Sequence, residues 1–364
     1  MPQLFSHLKI KDVAFKNRIG VSPMCQYSAT EGLAEHWHLV HLGSRAVGGA
    51  GLIISEATAV SGEGRITPAC LGIWNDAQAE ALQPIVAFQK THGAVPGIQI
   101  AHAGRKASAA PPWDGGQHLR NDEGGWDTIG PGDTPFDPDG VRLWKTPKQM
   151  TPKDIASTQA AFVDAAKRAL EAGYELLEIH AAHGYLLHSF FTPLVNQRTD
   201  EYGGSFENRA RMLLEVTAKI REVWPENLPL AVRLSTSDWD ENGLSVEDNI
   251  QMARWLKDLG VDIIDCSAGG ASPSARSSMG TRTSDQIGIA ARIREQAGIM
   301  TMAVGTITDP LQAEEIIASG QADIALLGRQ MLRDPFWPFH AAQALSVKTA
   351  EYIPDQIDFF VGQK

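Results

Sequence analysis

Three protic side chains, those of His180, His183 and Tyr185, lie within one six-residue stretch of the chain. Imidazole and phenol groups donate hydrogen bonds and can transfer protons. The stretch follows a largely apolar run of strand length at residues 174–179. Because a strand end opens into a loop that can meet a ligand, we expect a binding or reaction site here.

The spacing of His180 and His183 allows three interpretations. They could bind zinc, although a catalytic zinc needs a third protein ligand that a carboxylate or His102 would have to supply. They could be buried histidines with a structural role. They could also donate together to a carbonyl oxygen and stabilise negative charge that develops there, while Tyr185 gives a proton.

The elements that position this cluster form a repeating pattern. About eight short apolar strands alternate with helices, and the strands lack strict polar alternation, which is typical of parallel strands buried on both faces. We predict a closed (β/α)₈ TIM barrel of class α/β, with a doubly wound open sheet as the alternative. One domain should span residues 1–364, with residues 103–150 as a capping insertion after the third strand and residues 346–364 as a C-terminal tail.

In such a barrel the ends of all strands meet at one face. The candidate residues there are Pro23, Met24 and Cys25 after the first strand, Glu56 and Ala57 after the second, Gln99 and His102 in the third, His180, His183 and Tyr185 after the fourth, Arg233 in the fifth, Asp265 and Cys266 in the sixth, and Gly305, Gly328 and Arg329 after the last two. Glycines let backbone N–H groups approach an anion, and an arginine adds a bidentate contact, so the last two strand ends predict a phosphate site. Arg233 can face an anionic or electron-rich partner at the same open end of the barrel. Alternatively, it forms an ion pair with Asp265 or Glu56.

No serine or cysteine nucleophile is paired with a base in this pattern. A phosphate site without such a nucleophile favours a phosphorylated cofactor that does the chemistry while the protein orients and polarises the substrate.

Four tracts of the chain resemble the old yellow enzyme family of FMN-dependent ene-reductases, in its thermophilic-like, xenobiotic-reductase branch. They are residues 22–27 (SPMCQY), 99–106 (QIAHAGRK), 180–185 (HAAHGY) and 198–209 (RTDEYGGSFENR). The resemblance runs in order from about residue 4 to residue 339, and the last tract is far longer than a chance motif.

The resemblance implies bound FMN, hydride from NADPH or NADH, and reduction of an activated alkene such as an enone, or of a nitro compound. It places Ser22, Pro23, Met24, Cys25, Ala57, Gln99 and Arg233 around the flavin ring and ribityl chain, and Gly305, Gly328 and Arg329 around the phosphate. His180 and His183 would hold the substrate oxygen, Tyr185 would protonate the α-carbon, and Tyr27 would contact the substrate. Cys25 would tune the flavin; otherwise it is a small buried hydrophobe.

The resemblance also implies a homo-oligomer, a dimer or a tetramer. Members of this branch commonly send an Arg or Trp from a neighbouring subunit's C-terminus into the active site, but this chain has neither after Trp337. Phe359 or Phe360 could take that place. The capping insertion, with Trp113, Trp126 and Trp144 among its residues, should cover the substrate pocket.

Bulk composition limits the other function classes. The chain has 364 residues, 43% of them hydrophobic, and a net charge of −11, which opposes a nucleic-acid or acidic-membrane partner. Three scattered cysteines give no disulfide framework and no paired metal spacing, and the N-terminus lacks the apolar core of a signal peptide, so we expect a cytoplasmic protein. A zinc hydrolase and a non-catalytic flavin-binding protein are the alternative functions.

Overall fold

Eight parallel strands close into a barrel in the computed structural model, which describes residues 1–273 and 285–361. The strands are Ile19–Val21, Leu52–Ala59, Val95–Ala101, Leu176–Ala181, Leu230–Ser235, Ile263–Ser267, Met300–Val304 and Ile324–Leu327. Each pairs with the next along the chain, and the eighth pairs with the first, with Ala325 opposite Ile19. The predicted TIM barrel is therefore confirmed.

The helices surround the barrel and bury their apolar faces against it. The longer ones are His36–Val47, Asp76–Thr91, Pro152–Glu171, Phe206–Arg221, Val246–Asp258, Asp285–Ala297, Pro310–Ala318 and Trp337–Ala344, and the shorter ones are Leu186–Phe191, Arg329–Arg333 and Asp355–Val361. Side-chain caps fix several starts: the Thr151, Ser205 and Ser245 hydroxyls each accept a backbone N–H from the first turn. Within the described ranges, no helix has the length and apolarity to cross a membrane.

A β-hairpin precedes the first barrel strand, in a part of the chain where the sequence pattern predicted no strand. Strand Leu8–Ile10 pairs antiparallel with Val13–Phe15. Its inward side chains pack on the residues that begin the barrel strands, including Leu52, Leu176 and Ile263. The hairpin thus closes the N-terminal end of the barrel with apolar contacts.

The capping insertion has little regular structure beyond short 3₁₀ turns and the paired segments Ile129–Gly130 and Lys148–Gln149. Buried Arg105 ties it to the barrel by donating to the carbonyl oxygens of Thr134 at 3.2 Å, Pro135 at 2.9 Å and Ala271. The sequence after the sixth strand is rich in Gly and Ser through Gly280, and residues 274–280 of this predicted loop lie outside the described residues. Residues 362–364 of the predicted tail also lie outside them.

Candidate active site

The residues selected from the strand ends meet at the C-terminal face of the barrel. Ser22 N donates to Leu327 O at 3.0 Å, which joins the first strand end to the eighth. A Cβ atom on Gly328 would lie 3.7 Å from Met24 Sδ. His180 is in register with Arg233 on the next strand. These contacts bring Ser22, Met24 and Gly328 together where the first and eighth strands meet, and place His180 beside Arg233.

The two histidines converge as predicted. His180 Nε2 lies 3.4 Å from His183 Nδ1, with the ring planes 87° apart. His180 Nδ1 accepts the Ala182 backbone N–H at 3.2 Å, so the proton of a neutral His180 sits on Nε2 and points toward His183. His183 Nε2 contacts Ser267 Oγ at 2.7 Å, and this hydroxyl therefore determines which nitrogen of His183 carries the proton.

Both imidazoles are held neutral. Burial, followed by the positive charge of Arg233, lowers the pKa of His180 and of His183 well below the usual value. No group of three or more His, Cys, Asp or Glu side chains in the described parts of the chain is arranged to hold a metal ion. The geometry therefore places two neutral imidazoles side by side, and the proton position on His183 decides whether its Nδ1 accepts from His180 Nε2–H or carries a second N–H donor.

Hydrogen bonds and close backbone packing fix the loop that carries His183. His183 adopts a positive φ of 61°, a backbone conformation that residues other than glycine seldom take. Its N–H donates to Ser235 Oγ at 2.9 Å, and its carbonyl accepts from Lys106 Nζ at 2.8 Å. A Cβ on Gly270 would lie 2.6 Å from His183 Cα, so only glycine permits this approach of the loop after the sixth strand.

A chain of buried polar contacts links the backbone next to His183 to Asp238. Gly184 N donates to His188 Nδ1 at 2.8 Å, and His188 Nε2 lies 3.0 Å from Asp238 Oδ1. The other carboxylate oxygen, Oδ2, accepts from Thr192 Oγ1 at 2.6 Å and from Leu244 N at 2.9 Å. Burial opposes ionisation of Asp238, but His188 and these hydrogen bonds outweigh it and lower its pKa.

Tyr185 and Tyr27 stand beside the histidines on the wall of a cavity of about 250 Å³. The Tyr185 ring centroid lies 4.9 Å from that of His180, and Lys106 Nζ lies 5.1 Å from the Tyr185 centroid. The capping insertion contributes much of the remaining wall, including Trp144. The cavity therefore has the His183 imidazole and the phenols of Tyr27 and Tyr185 on its wall, under an aromatic cover.

Cys25 lies half-buried on the loop after the first strand. Burial raises the pKa of its thiol, and the nearby Glu56 carboxylate and Cys70 act in the same direction. Glu56 also accepts the Gln26 backbone N–H at 3.0 Å, which fixes the loop. Cys25 is consequently a neutral thiol in a fixed position.

A second cavity, of about 320 Å³, opens between the seventh and eighth strand ends. Its lining includes Gly305, Gly328, Arg329 and Arg333, with no carboxylate among them. Gly305 has a φ of 134°, which L side chains rarely adopt. Exposed backbone beside two guanidinium groups fits the predicted phosphate, and the cavity is large enough to admit one.

Arg233 forms the ion pair that was its alternative interpretation. Its Nε lies 3.1 Å from Asp265 Oδ2, and both side chains are buried. Gln99 Nε2 donates to Glu178 Oε1 at 2.7 Å on the neighbouring strands. These four side chains form a polar layer inside the barrel, close to the histidines.

Sequence reasoning missed the residues that orient the histidines. Ser235 and Ser267 are the last residues of the fifth and sixth strands, so their positions at strand ends were a usable signal. The pairing of His188 with Asp238 had none, because it depends on how the helix Leu186–Phe191 packs against the loop after the fifth strand.

A further groove, of about 540 Å³, lies between helices Phe206–Arg221 and Val246–Asp258. Its lining includes Arg211, Glu215 and Trp255 but no residue of a barrel strand end. It is therefore separate from the cavities at the strand ends.

Comparisons with known proteins show the family to which this chain belongs. The chain matches the NADH:flavin oxidoreductase / NADH oxidase family over residues 3–348. It is 46% identical over 344 residues to the NADPH dehydrogenase of Geobacillus sp. (strain WCH70), with 94% of each chain covered. It is 44% identical over 348 residues to the NADPH dehydrogenase of Bacillus subtilis (strain 168), covering 95% of this chain and 96% of the other.

The solved structure of the old yellow enzyme homologue from Zymomonas mobilis superposes with a TM-score of 0.76 at 26% identity, covering 97% of both chains. The resemblance inferred from the four sequence tracts is thereby confirmed. The chain belongs to the NADH:flavin oxidoreductase / NADH oxidase family and is an FMN- and NAD(P)H-dependent oxidoreductase of the old yellow enzyme type.

Proposed function

We propose that this oxidoreductase reduces the C=C bond of activated alkenes such as enones, and that it also accepts nitro compounds. FMN, reduced by NADPH or NADH, supplies the hydride to the β-carbon. The observation that carries the proposal is the neutral imidazole pair, 3.4 Å apart, whose member His183 lines one cavity together with Tyr185.

His180 and His183 bind the activating oxygen of the substrate. If Ser267 donates its hydroxyl proton to His183 Nε2, the proton of His183 lies on Nδ1 and faces His180 Nε2–H. Two N–H groups that face each other cannot bond to one another, but they can share one oxygen acceptor. They would then stabilise the negative charge that reaches this oxygen as the β-carbon gains hydride.

Tyr185 protonates the α-carbon from its hydroxyl group and is then reprotonated from solvent. The positive charge of Lys106, 5.1 Å from the ring centroid, favours the phenolate left in between. Tyr27 contacts the substrate from the opposite loop. Burial, with a further contribution from Cys25, raises the pKa of Tyr27 and keeps it protonated.

The residues proposed to contact the flavin lie at or near the C-terminal ends of the barrel strands. The ring and ribityl chain would be held by Ser22, Pro23, Met24, Cys25, Ala57, Gln99 and Arg233, and the phosphate by Gly305, Gly328 and Arg329. Gln99 directs Nε2 to Glu178, so its Oε1 is the atom it can offer as an acceptor.

The capping insertion would cover the substrate, since Phe136 and Trp144 line the cavity. Trp113 packs edge-on against Tyr27 at 5.7 Å, whereas Trp126 is occupied elsewhere by Glu63 and Arg65. We retain the proposal of a dimer or tetramer in which exposed Phe359 or Phe360 reaches a neighbouring site.

Anaerobic titration of the purified protein tests the function. NADPH should bleach the flavin absorbance, and cyclohexenone should restore it, while the saturated control cyclohexanone should not. A flavin that is reduced and then reoxidised by neither cyclohexenone nor a nitroalkene would contradict ene-reductase activity and favour a flavin-binding protein without this reaction.

A further inference from the structure

Four polar side chains occupy consecutive strands inside the barrel, below the histidines. Gln99, Glu178, Arg233 and Asp265 come from the third, fourth, fifth and sixth strands, and none is more than 6% exposed. Gln99 is in register with Glu178, and Arg233 with Asp265. We call these four residues the carboxyl layer.

The carboxyl layer is short of hydrogen-bond donors. Glu178 Oε1 accepts from Gln99 at 2.7 Å, and Arg233 Nε faces Asp265 Oδ2 at 3.1 Å without hydrogen-bond geometry. Among the described residues, none donates a hydrogen bond to Glu178 Oε2 or to either oxygen of Asp265. Buried acceptors left without a donor destabilise the fold, and the cost is larger when the acceptor is charged.

One proton resolves this shortage. If Glu178 Oε2 carries a hydrogen, it can donate that hydrogen to the neighbouring Asp265 carboxylate. Oε1 of Glu178 is then the carbonyl oxygen that accepts from Gln99. Two touching carboxylates cannot both stay ionised away from water. With one proton bound, the pair carries a single negative charge, equal and opposite to that of Arg233.

The balance of charges assigns the proton to Glu178. Burial, then the neighbouring Asp265 charge, raises the pKa of Glu178 well above its usual value. Burial also raises the pKa of Asp265, and Arg233 lowers the pKa of both carboxyl groups, but Arg233 Nε lies 3.1 Å from Asp265 Oδ2 and so pairs directly with Asp265. Asp265 is thus the better place for the negative charge.

We propose that Glu178 is a protonated positioning residue that donates its Oε2–H to Asp265 and limits the carboxyl layer to one negative charge, balanced by Arg233. The effect on the cofactor rests on the proposed contact between Arg233 and the flavin ring. A second negative charge here would oppose reduction of the flavin, because reduction adds electrons to the ring above.

Infrared spectroscopy of the holoenzyme tests the proton itself. The spectrum of the wild-type protein minus that of Glu178→Gln should show one protonated-carboxyl C=O band, shifted by D₂O. A difference spectrum that instead loses an ionised-carboxylate band would overturn the proposal. This readout does not depend on alkene reduction, so it stands even where the proposed function fails.

The flavin midpoint potential tests the consequence. Glu178→Gln preserves a neutral donor and acceptor, so its potential should match wild type, whereas Asp265→Asn removes a negative charge and should shift the potential positively. Equal positive shifts in both variants would show that Glu178 is ionised. If Asp265→Asn does not fold, a positive shift in Glu178→Gln alone overturns the proposal.

Asp323→Asn is the matched control. Asp323 is also a buried carboxylate paired with an arginine, Arg294, at 2.9 Å, but it precedes the eighth strand at the opposite end of the barrel. Its substitution should leave the flavin potential unchanged.

Discussion

The two ends of the barrel are built from the same strands but from opposite chemistry. At the N-terminal end, Leu176 and Ile263 begin their strands in an apolar cluster closed by the hairpin. A few residues further along the same strands lie Glu178, His180 and Asp265, all buried and polar. The apolar end stabilises the barrel, and the polar end carries the groups that we propose act on the cofactor and substrate.

This contrast predicts that substitutions at the two ends will separate activity from stability. Truncation at the polar end removes donors from the reaction but little apolar packing. Truncation at the apolar end removes packing alone. The four predictions below run from the largest expected effect to the smallest.

The double substitution His180→Ala and His183→Ala should abolish most enone reduction while flavin stays bound. Loss of one preorganised donor costs about 10²–10³ in rate, so losing both should lower kcat/KM by roughly 10⁴ or more. Steady-state kinetics with cyclohexenone and the flavin absorbance would measure this. Exposed His7→Ala is the control, and unchanged turnover in the double variant would refute the role of the pair.

Phe15→Ala should destabilise the fold without changing the chemistry. Phe15 is fully buried in the hairpin, and truncating a buried phenylalanine costs about 3–5 kcal/mol. Denaturant unfolding would give the loss, and kcat/KM per flavin-bound molecule should stay at the wild-type value. Lys9→Ala, an exposed position in the same hairpin, is the control. A fall in kcat/KM would show that the two ends are coupled.

Tyr185→Phe should slow only the step that needs a proton. Removing a general acid costs at least about 10²-fold, so reoxidation of the flavin by cyclohexenone should slow by that factor. Reduction by NADPH should be unaffected, because no proton from Tyr185 is used there. Stopped-flow measurement of the two half-reactions distinguishes them, and equal slowing of both would point to a structural role.

Cys25→Ala should have the smallest effect. The thiol is neutral, so its loss removes no charge and should produce a modest shift in flavin potential and in preference among alkenes. Cys266→Ala, buried in the sixth strand, is the control and should change neither. Purification of Cys25→Ala without flavin would show that Cys25 is needed to bind the cofactor.

The sequence was sufficient for the barrel and for the strand-end residues because both depend on local pattern. The apolar runs, the caps at Thr151 and Ser245, and the histidine spacing are all contained in short windows. The hairpin was missed because each of its strands has three residues, too few to show periodicity.

Contacts between distant segments could not be obtained this way. The hydroxyl of Ser267 sets the proton position on His183, and Glu178 contacts Asp265. Both contacts exist only because the fifth strand pairs with the fourth and with the sixth in a particular register. A shift of one residue in that register would turn each of these side chains to the other face of the sheet.

The junction of the first and eighth strands has a consequence for synthesis. Ile19–Val21 finds its second partner only when Ile324–Leu327 has left the ribosome, and until then the sheet has two open edges. The bond from Ser22 N to Leu327 O lies at this seam, so the first-strand part of the proposed flavin site is fixed at the same moment. Completion of the sheet therefore waits for the eighth strand, and a chain arrested before Leu327 carries an open edge instead of a smaller barrel.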